Sequence, residues 1–103
     1  MSNEKRVYSL LKSEKISVGR GEDGANLCSI PHNENKEVYN INSYSFRIAF
    51  KSFWKKEYGE LLNDKEVQEI ISIMEVECYE SKNKIRRNHY IYGKGRMLIN
   101  QLN

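Results

Sequence analysis

Proline occurs once in this sequence, at Pro31, and cysteine twice, at Cys28 and Cys78. So little proline excludes collagen-like and proline-rich disordered chains. Two cysteines fifty positions apart are too few for a small secreted domain held by disulfides. They read instead as buried, reduced thiols that pack as small apolar groups. His32 and His89 are the only histidines, and no two of these four residues stand at metal-ligand spacing. No metal centre and no cofactor is therefore expected. No apolar run approaches the length of a membrane span. The start, Met1-Ser2-Asn3-Glu4-Lys5-Arg6, leads into no apolar stretch and no small-residue cleavage site, so no secretory signal is expected and the protein is placed in the cytoplasm.

What remains is a chain of 103 residues, 39% hydrophobic and 30% charged, which predicts one globular domain over residues 1–103. The net charge of +3 is unevenly spread. Residues 1–41 hold six basic and six acidic residues, whereas residues 42–80 hold five basic and eight acidic. Residues 81–103 hold Lys82, Lys84, Arg86, Arg87, Lys94 and Arg96 and no acid at all. An acidic middle beside a basic end is either the footprint of a nucleic acid or acidic partner, or a pair of surfaces that face each other within the fold.

Periodicity gives the elements. Val7, Leu10 and Leu11 recur at helical spacing, predicting a short helix over 4–14. Ile16 and Val18 alternate with polar residues, and Ala25–Ile30 reads as a second strand stopped by Pro31. The intervening Gly19-Arg20-Gly21-Glu22-Asp23-Gly24 is then a hairpin turn, with the hairpin spanning roughly 15–30. Its letters match a dinucleotide fingerprint, but that motif needs a helix after it, and Glu22 and Asp23 would repel a phosphate. His32 to Glu37 reads as a polar loop, and Val38, Tyr39 and Ile41 as a short extended segment.

Two long helices follow. Ser43 is a good N-cap for the first, with Phe46, Ala49, Phe50, Phe53 and Trp54 on one arc and Gly59 as the stop. Arg47, Lys51 and Lys55 form an i, i+4 stripe beside that arc. Asn63 and Glu66 spell a capping box for the second helix, whose apolar stripe is Val67, Ile70, Ile71, Met74 and Cys78. Its other face is acidic. From Lys84 to Tyr92 the pattern is that of a strand, Gly93-Lys94-Gly95 is a turn, and Arg96–Leu102 returns. The expected fold is α+β: a small antiparallel sheet from the hairpins near 15–30 and 84–102, packed on two long helices, with a short N-terminal helix. Phe46, Phe50, Phe53, Trp54, Val67, Ile70, Ile71 and Met74 are its expected core.

No hydrolase signature is present. His89, beside Tyr90, Tyr92, Arg86 and Arg87, could serve a small nuclease as general base, but it has no carboxylate partner in sequence. The expectation is a protein that is not an enzyme. The candidate binding residues are Arg86, Arg87, Tyr90, Tyr92, Lys94 and Arg96, because cations that hold phosphates and rings that stack on bases build single-strand platforms. The alternative is an ordinary sheet surface with half-buried tyrosines. Arg47, Lys51 and Lys55 would extend the platform if the first long helix packs beside the hairpin. By strand alternation Arg86, Tyr90 and Tyr92 share the face expected to look outward, and Arg87 and His89 the face expected to reach the acidic helix.

One resemblance spans nearly the whole chain. Gly24, Leu27, Ile30 and Pro31 in the hairpin, Ser43, Phe46 and Arg47 at a helix start, and the helix over 64–80 resemble an accessory segment of primase–helicase proteins carried by phages and plasmids. The resemblance implies a mobile-element origin. It brings no ATPase motif and no primase carboxylates. The basic hairpin makes a nucleic acid or host nucleoprotein complex the expected partner; a free-standing protein of this size from a mobile element suggests, as the alternative, a host defence complex bound directly, as by an anti-CRISPR protein.

Overall fold

The computed structural model describes residues 2–81. The order of elements is α1 (Asn3–Lys12), β1 (Ser17–Arg20), β2 (Asn26–His32), β3 (Asn35–Asn40), α2 (Tyr44–Tyr58) and α3 (Asp64–Glu80). The fold is α+β, a three-stranded antiparallel sheet of order β1-β2-β3 with one short and two longer helices. The expected hairpin over 84–102 lies outside the described residues.

Each helix begins where side chains satisfy its free backbone N–H groups. Ser2 Oγ accepts the Lys5 N–H at 3.2 Å, and Ser43 Oγ accepts the Phe46 N–H at 3.1 Å. At α3 the capping box is complete: Asn63 Oδ1 accepts the Glu66 N–H at 2.8 Å, and Glu66 Oε1 accepts the Asn63 N–H at 2.9 Å. Gly59 stops α2 with φ of 71°, a left-handed conformation that glycine adopts without a steric penalty.

The turn after β1 is shorter than expected, because Gly19 and Arg20 pair with Leu27 and Asn26 as part of the strand; it closes with Gly21 N–H donating to the Ala25 carbonyl at 2.9 Å. A side chain at Gly21 would require two neighbouring side-chain ends to shift. A Cβ there would lie 2.8 Å from Asp23 Oδ1 and 2.9 Å from Leu27 Cδ1.

Two expectations are corrected between residues 31 and 40. Pro31 does not stop β2, which continues to His32 and pairs Pro31 with Lys36. The reason is register. β1 pairs with β2 only as far as Ser29, so at Pro31 the strand has one described neighbour, and a missing N–H is tolerated at such a one-sided position. The polar stretch from His32 to Glu37 is not a loop either. His32 pairs with Asn35, leaving Asn33 and Glu34 as a two-residue turn. Asn33 has φ of 57°, and asparagine is one of the few side chains that enter the left-handed region at small cost.

The helices cover the sheet face that carries Val18, Cys28 and Ile30, with α3 against β1 and β2 and α2 against β2 and β3. Leu27 and Ser29, on the other face, are buried as well, so β2 is shielded on both sides. All eight residues expected in the core are buried. Along α2, Phe46, Phe50, Trp54 and Tyr58 form an i, i+4 ridge, with successive ring centroids 5.4, 5.7 and 4.6 Å apart. Tyr39 of β3 extends it at one end, 6.3 Å from Phe46, and the Arg6 guanidinium of α1 lies 4.7 Å above Tyr58 at the other. Rings at these separations attract beyond the area they bury.

Ile71 is 1% exposed and sits in the middle of α3. Burial of such a side chain contributes roughly 1.5–3 kcal/mol, and a carboxylate in its place would be desolvated without a partner. Ile71→Asp is expected to abolish the cooperative thermal transition; a melt near the wild-type temperature would show that the α3 register is wrong.

Candidate functional site

Arg86, Arg87, Tyr90, Tyr92, Lys94 and Arg96 lie outside the described residues, as does His89. The remaining candidates, Arg47, Lys51 and Lys55, are on one side of α2, as their spacing requires. The first two are engaged. Arg47 donates to Gln68 Oε1, and Lys51 Nζ donates to Asp64 Oδ1 at 2.6 Å. Both acceptors belong to the first two turns of α3. The hydrogen bond and charge of Lys51 hold the Asp64 carboxyl below its ordinary pKa, with Arg47 adding to the effect. Asp64 also stands at the positive end of α3, where a carboxylate is favoured. An exposed pair of this kind adds little to stability. Lys55 is exposed and makes no ion pair among the described residues. The stripe is therefore one free cation beside two that strap α3 to α2.

Further straps gather α1 and its following turn onto the end of α2. Arg6 pairs with Glu60 at 2.7 Å and Lys15 with Glu57 at 2.9 Å. Among the described residues no group of three metal-ligating side chains converges, and no helix is long and apolar enough to cross a membrane.

Both thiols are free and buried, as the cysteine count predicts. Cys78 Sγ donates to the Leu27 carbonyl at 3.7 Å and so ties the last turns of α3 to the middle strand. Burial pushes both thiols above their ordinary pKa, Cys28 the more strongly. Burial, reinforced by a 2.5 Å hydrogen bond to Glu37, likewise pushes the Tyr39 hydroxyl up to about 12. Neutral thiols of this kind are poor nucleophiles.

One feature escapes the sequence reading. A groove of about 840 Å³ runs between α2 and the β2–β3 hairpin. Ile30, Ala49 and Phe53 lie along its base, Tyr44 and Ile48 form one rim, and Pro31 belongs to the other. Tyr44 is 76% exposed and Ile48 49% exposed, so this rim is open apolar surface. The available signal was the pair itself: two large apolar residues four apart on α2, both off the arc that makes the core.

No protein-family model, curated protein or solved structure matches this chain.

The buried groups make a pH-dependent prediction. A thiol or phenol whose pKa is raised by folding is protonated in both states below the unfolded value, which for a thiol is about 8.5. Above it the unfolded chain releases the proton first, so stability falls as pH rises towards the folded value. Urea midpoints are expected to be lower at pH 10 than at pH 7, with a smaller difference in a Cys28→Ala, Cys78→Ala double variant. In the native wild type neither thiol is expected to react with a chromogenic disulfide reagent at pH 8. Rapid reaction without unfolding would contradict the buried placement.

Proposed function

We propose that the chain is a non-enzymatic binding protein of a phage or other mobile element. In this reading it engages nucleic acid, or a host nucleoprotein complex, through the basic residues 82–103. The observation that carries the proposal is the segregation of charge. Residues 82–103 hold all of the surplus, six cations without an acid, while residues 1–81 hold eleven basic and fourteen acidic residues. A body of net −3 repels phosphates, so favourable phosphate contacts fall to the basic segment. The engagement of Arg47 and Lys51 with α3 supports the same division, because it leaves Lys55 as the member of that stripe with no ion pair among the described residues. The interleaving of Tyr90 and Tyr92 with Arg86 and Arg87 favours a single strand over a duplex, since exposed rings stack on unpaired bases. The likeness to the accessory segment of primase–helicase proteins supports a mobile-element source and action inside the host cell.

A second reading is direct binding of a host defence protein, in the manner of an anti-CRISPR inhibitor. The apolar groove favours it, because such surfaces suit protein partners.

Salt dependence separates the two. Each cation that contacts a phosphate contributes about one unit to the slope of log affinity against log salt. Arg86→Ala with Arg87→Ala is expected to weaken binding to a fluorescent oligothymidine and to flatten that slope by up to about two units. Tyr90→Ala or Tyr92→Ala is expected to cost about 1–3 kcal/mol if the ring stacks on a base. Salt-independent capture of a nuclease-resistant protein partner, with no oligonucleotide binding, would reject the first reading in favour of the second. His89→Ala is expected to leave binding intact, and histidine-dependent cleavage of the oligonucleotide would show an enzyme.

A further inference from the structure

We infer that the groove between α2 and the β2–β3 hairpin is a docking site for a short peptide segment of a protein partner, with apolar anchor side chains flanked by carboxylates. The inference stands on the groove alone and does not depend on residues 82–103. Its shape comes from side-chain size. Ser45, Ala49 and Ser52 are small, so α2 presents a depression there, bounded outward by Tyr44 and Ile48. From Tyr44 to Lys56 the helix runs about 18 Å, the length of roughly five extended residues. The base is apolar, with Ile30 at 2% and Phe53 at 8% exposure.

Charge selects the occupant. At the C-terminal end of α2, Lys56 lines the groove and Lys55 lies seven residues from Ile48, on the same helix face. Both are exposed and neither has an ion-pair partner among the described residues. The carboxylate that lines this end, Glu57, is already neutralised by both of its oxygens accepting from Lys15, at 3.1 and 2.9 Å. The other end is formed by the first turn of α2, which carries no acidic residue, so the positive end of the helix dipole is left uncompensated. An apolar floor between two positive ends matches an apolar segment between two negative ones. A nucleic-acid strand fits less well, because it would bring a phosphate at every residue step and the apolar middle of the groove offers no cation.

The test is selection of random dodecapeptides displayed on phage against the whole chain. Enriched peptides are expected to carry one or two large apolar residues with Asp or Glu on both sides. Binding of an enriched synthetic peptide is expected to fall at least about tenfold in Ile48→Asp, since an apolar rim contact is lost and a carboxylate is set against an acidic-flanked ligand. A loss of about threefold or more is expected in Lys56→Glu. Lys65→Glu, on α3 and away from the groove, is the control and is expected to bind normally. Ile48 and Lys56 are exposed, so unchanged melting curves are expected to confirm intact folding, and Tyr44→Ala supplies a second exposed rim variant. The inference is overturned by no enrichment, by enriched peptides without acidic flanks, or by binding indifferent to Ile48→Asp. It is also overturned if sedimentation shows the protein to be a dimer that Ile48→Asp dissociates, because the occupant is then a second copy.

Discussion

The ring-on-ring packing along α2 is the contact on which the other elements depend. Phe46, Phe50, Trp54 and Tyr58 stand four residues apart, so a single helix face delivers them as one continuous ridge. The sheet meets that ridge through Tyr39, and α1 meets it through Arg6. α3 adds Val67, Ile70, Ile71 and Met74 to the same cluster. A domain this small buries a modest share of its surface, so a few large side chains must supply much of the apolar burial. That constraint explains why the polar contacts around the ridge are mostly straps between elements. Lys51 to Asp64, Arg6 to Glu60 and Lys15 to Glu57 each join segments distant in sequence around that ridge.

The helices were legible because their signals are local. A serine or asparagine cap, a 3.6-residue apolar period and a glycine stop all lie within a few positions of the element they define. The strands from 31 to 40 were legible only at Val38 and Tyr39, which read as extended, and the reason is specific. Strand β3 is an edge of the described sheet and mostly polar in composition, from Asn35 to Asn40, so its sequence resembles a loop. Its identity comes from pairing with β2, and pairing is set by a turn at Asn33-Glu34 that lacks the usual glycine. Pro31 misled for a related reason. Whether proline breaks a strand depends on which side has a neighbour, and that is a property of the sheet.

The site was legible in composition and less so in geometry. The stripe of Arg47, Lys51 and Lys55 follows from helical spacing, yet spacing says nothing of the Gln68 and Asp64 acceptors that α3 brings to it. The groove is tertiary in origin. Its base draws on β2 and α2 at once, and only the rim pair Tyr44 and Ile48 left a trace in the sequence. The two faces of α2 consequently differ in character. One is locked against α3 by polar bonds, while the other offers apolar surface with unpaired cations at its end.

Trp54 is the one tryptophan of the chain, fully buried in the aromatic ridge, and its indole nitrogen has no hydrogen-bond partner among the described residues. An indole in such dry surroundings emits at short wavelength, and it shifts to the red when water reaches it. The ring of Tyr58, 4.6 Å away, is close enough to pass its excitation to the indole. The molecule thus carries its own optical gauge of core integrity within the aromatic ridge of α2. A ligand that settles on the outer rim of α2 leaves that gauge almost untouched, whereas loosening of the ridge moves it at once.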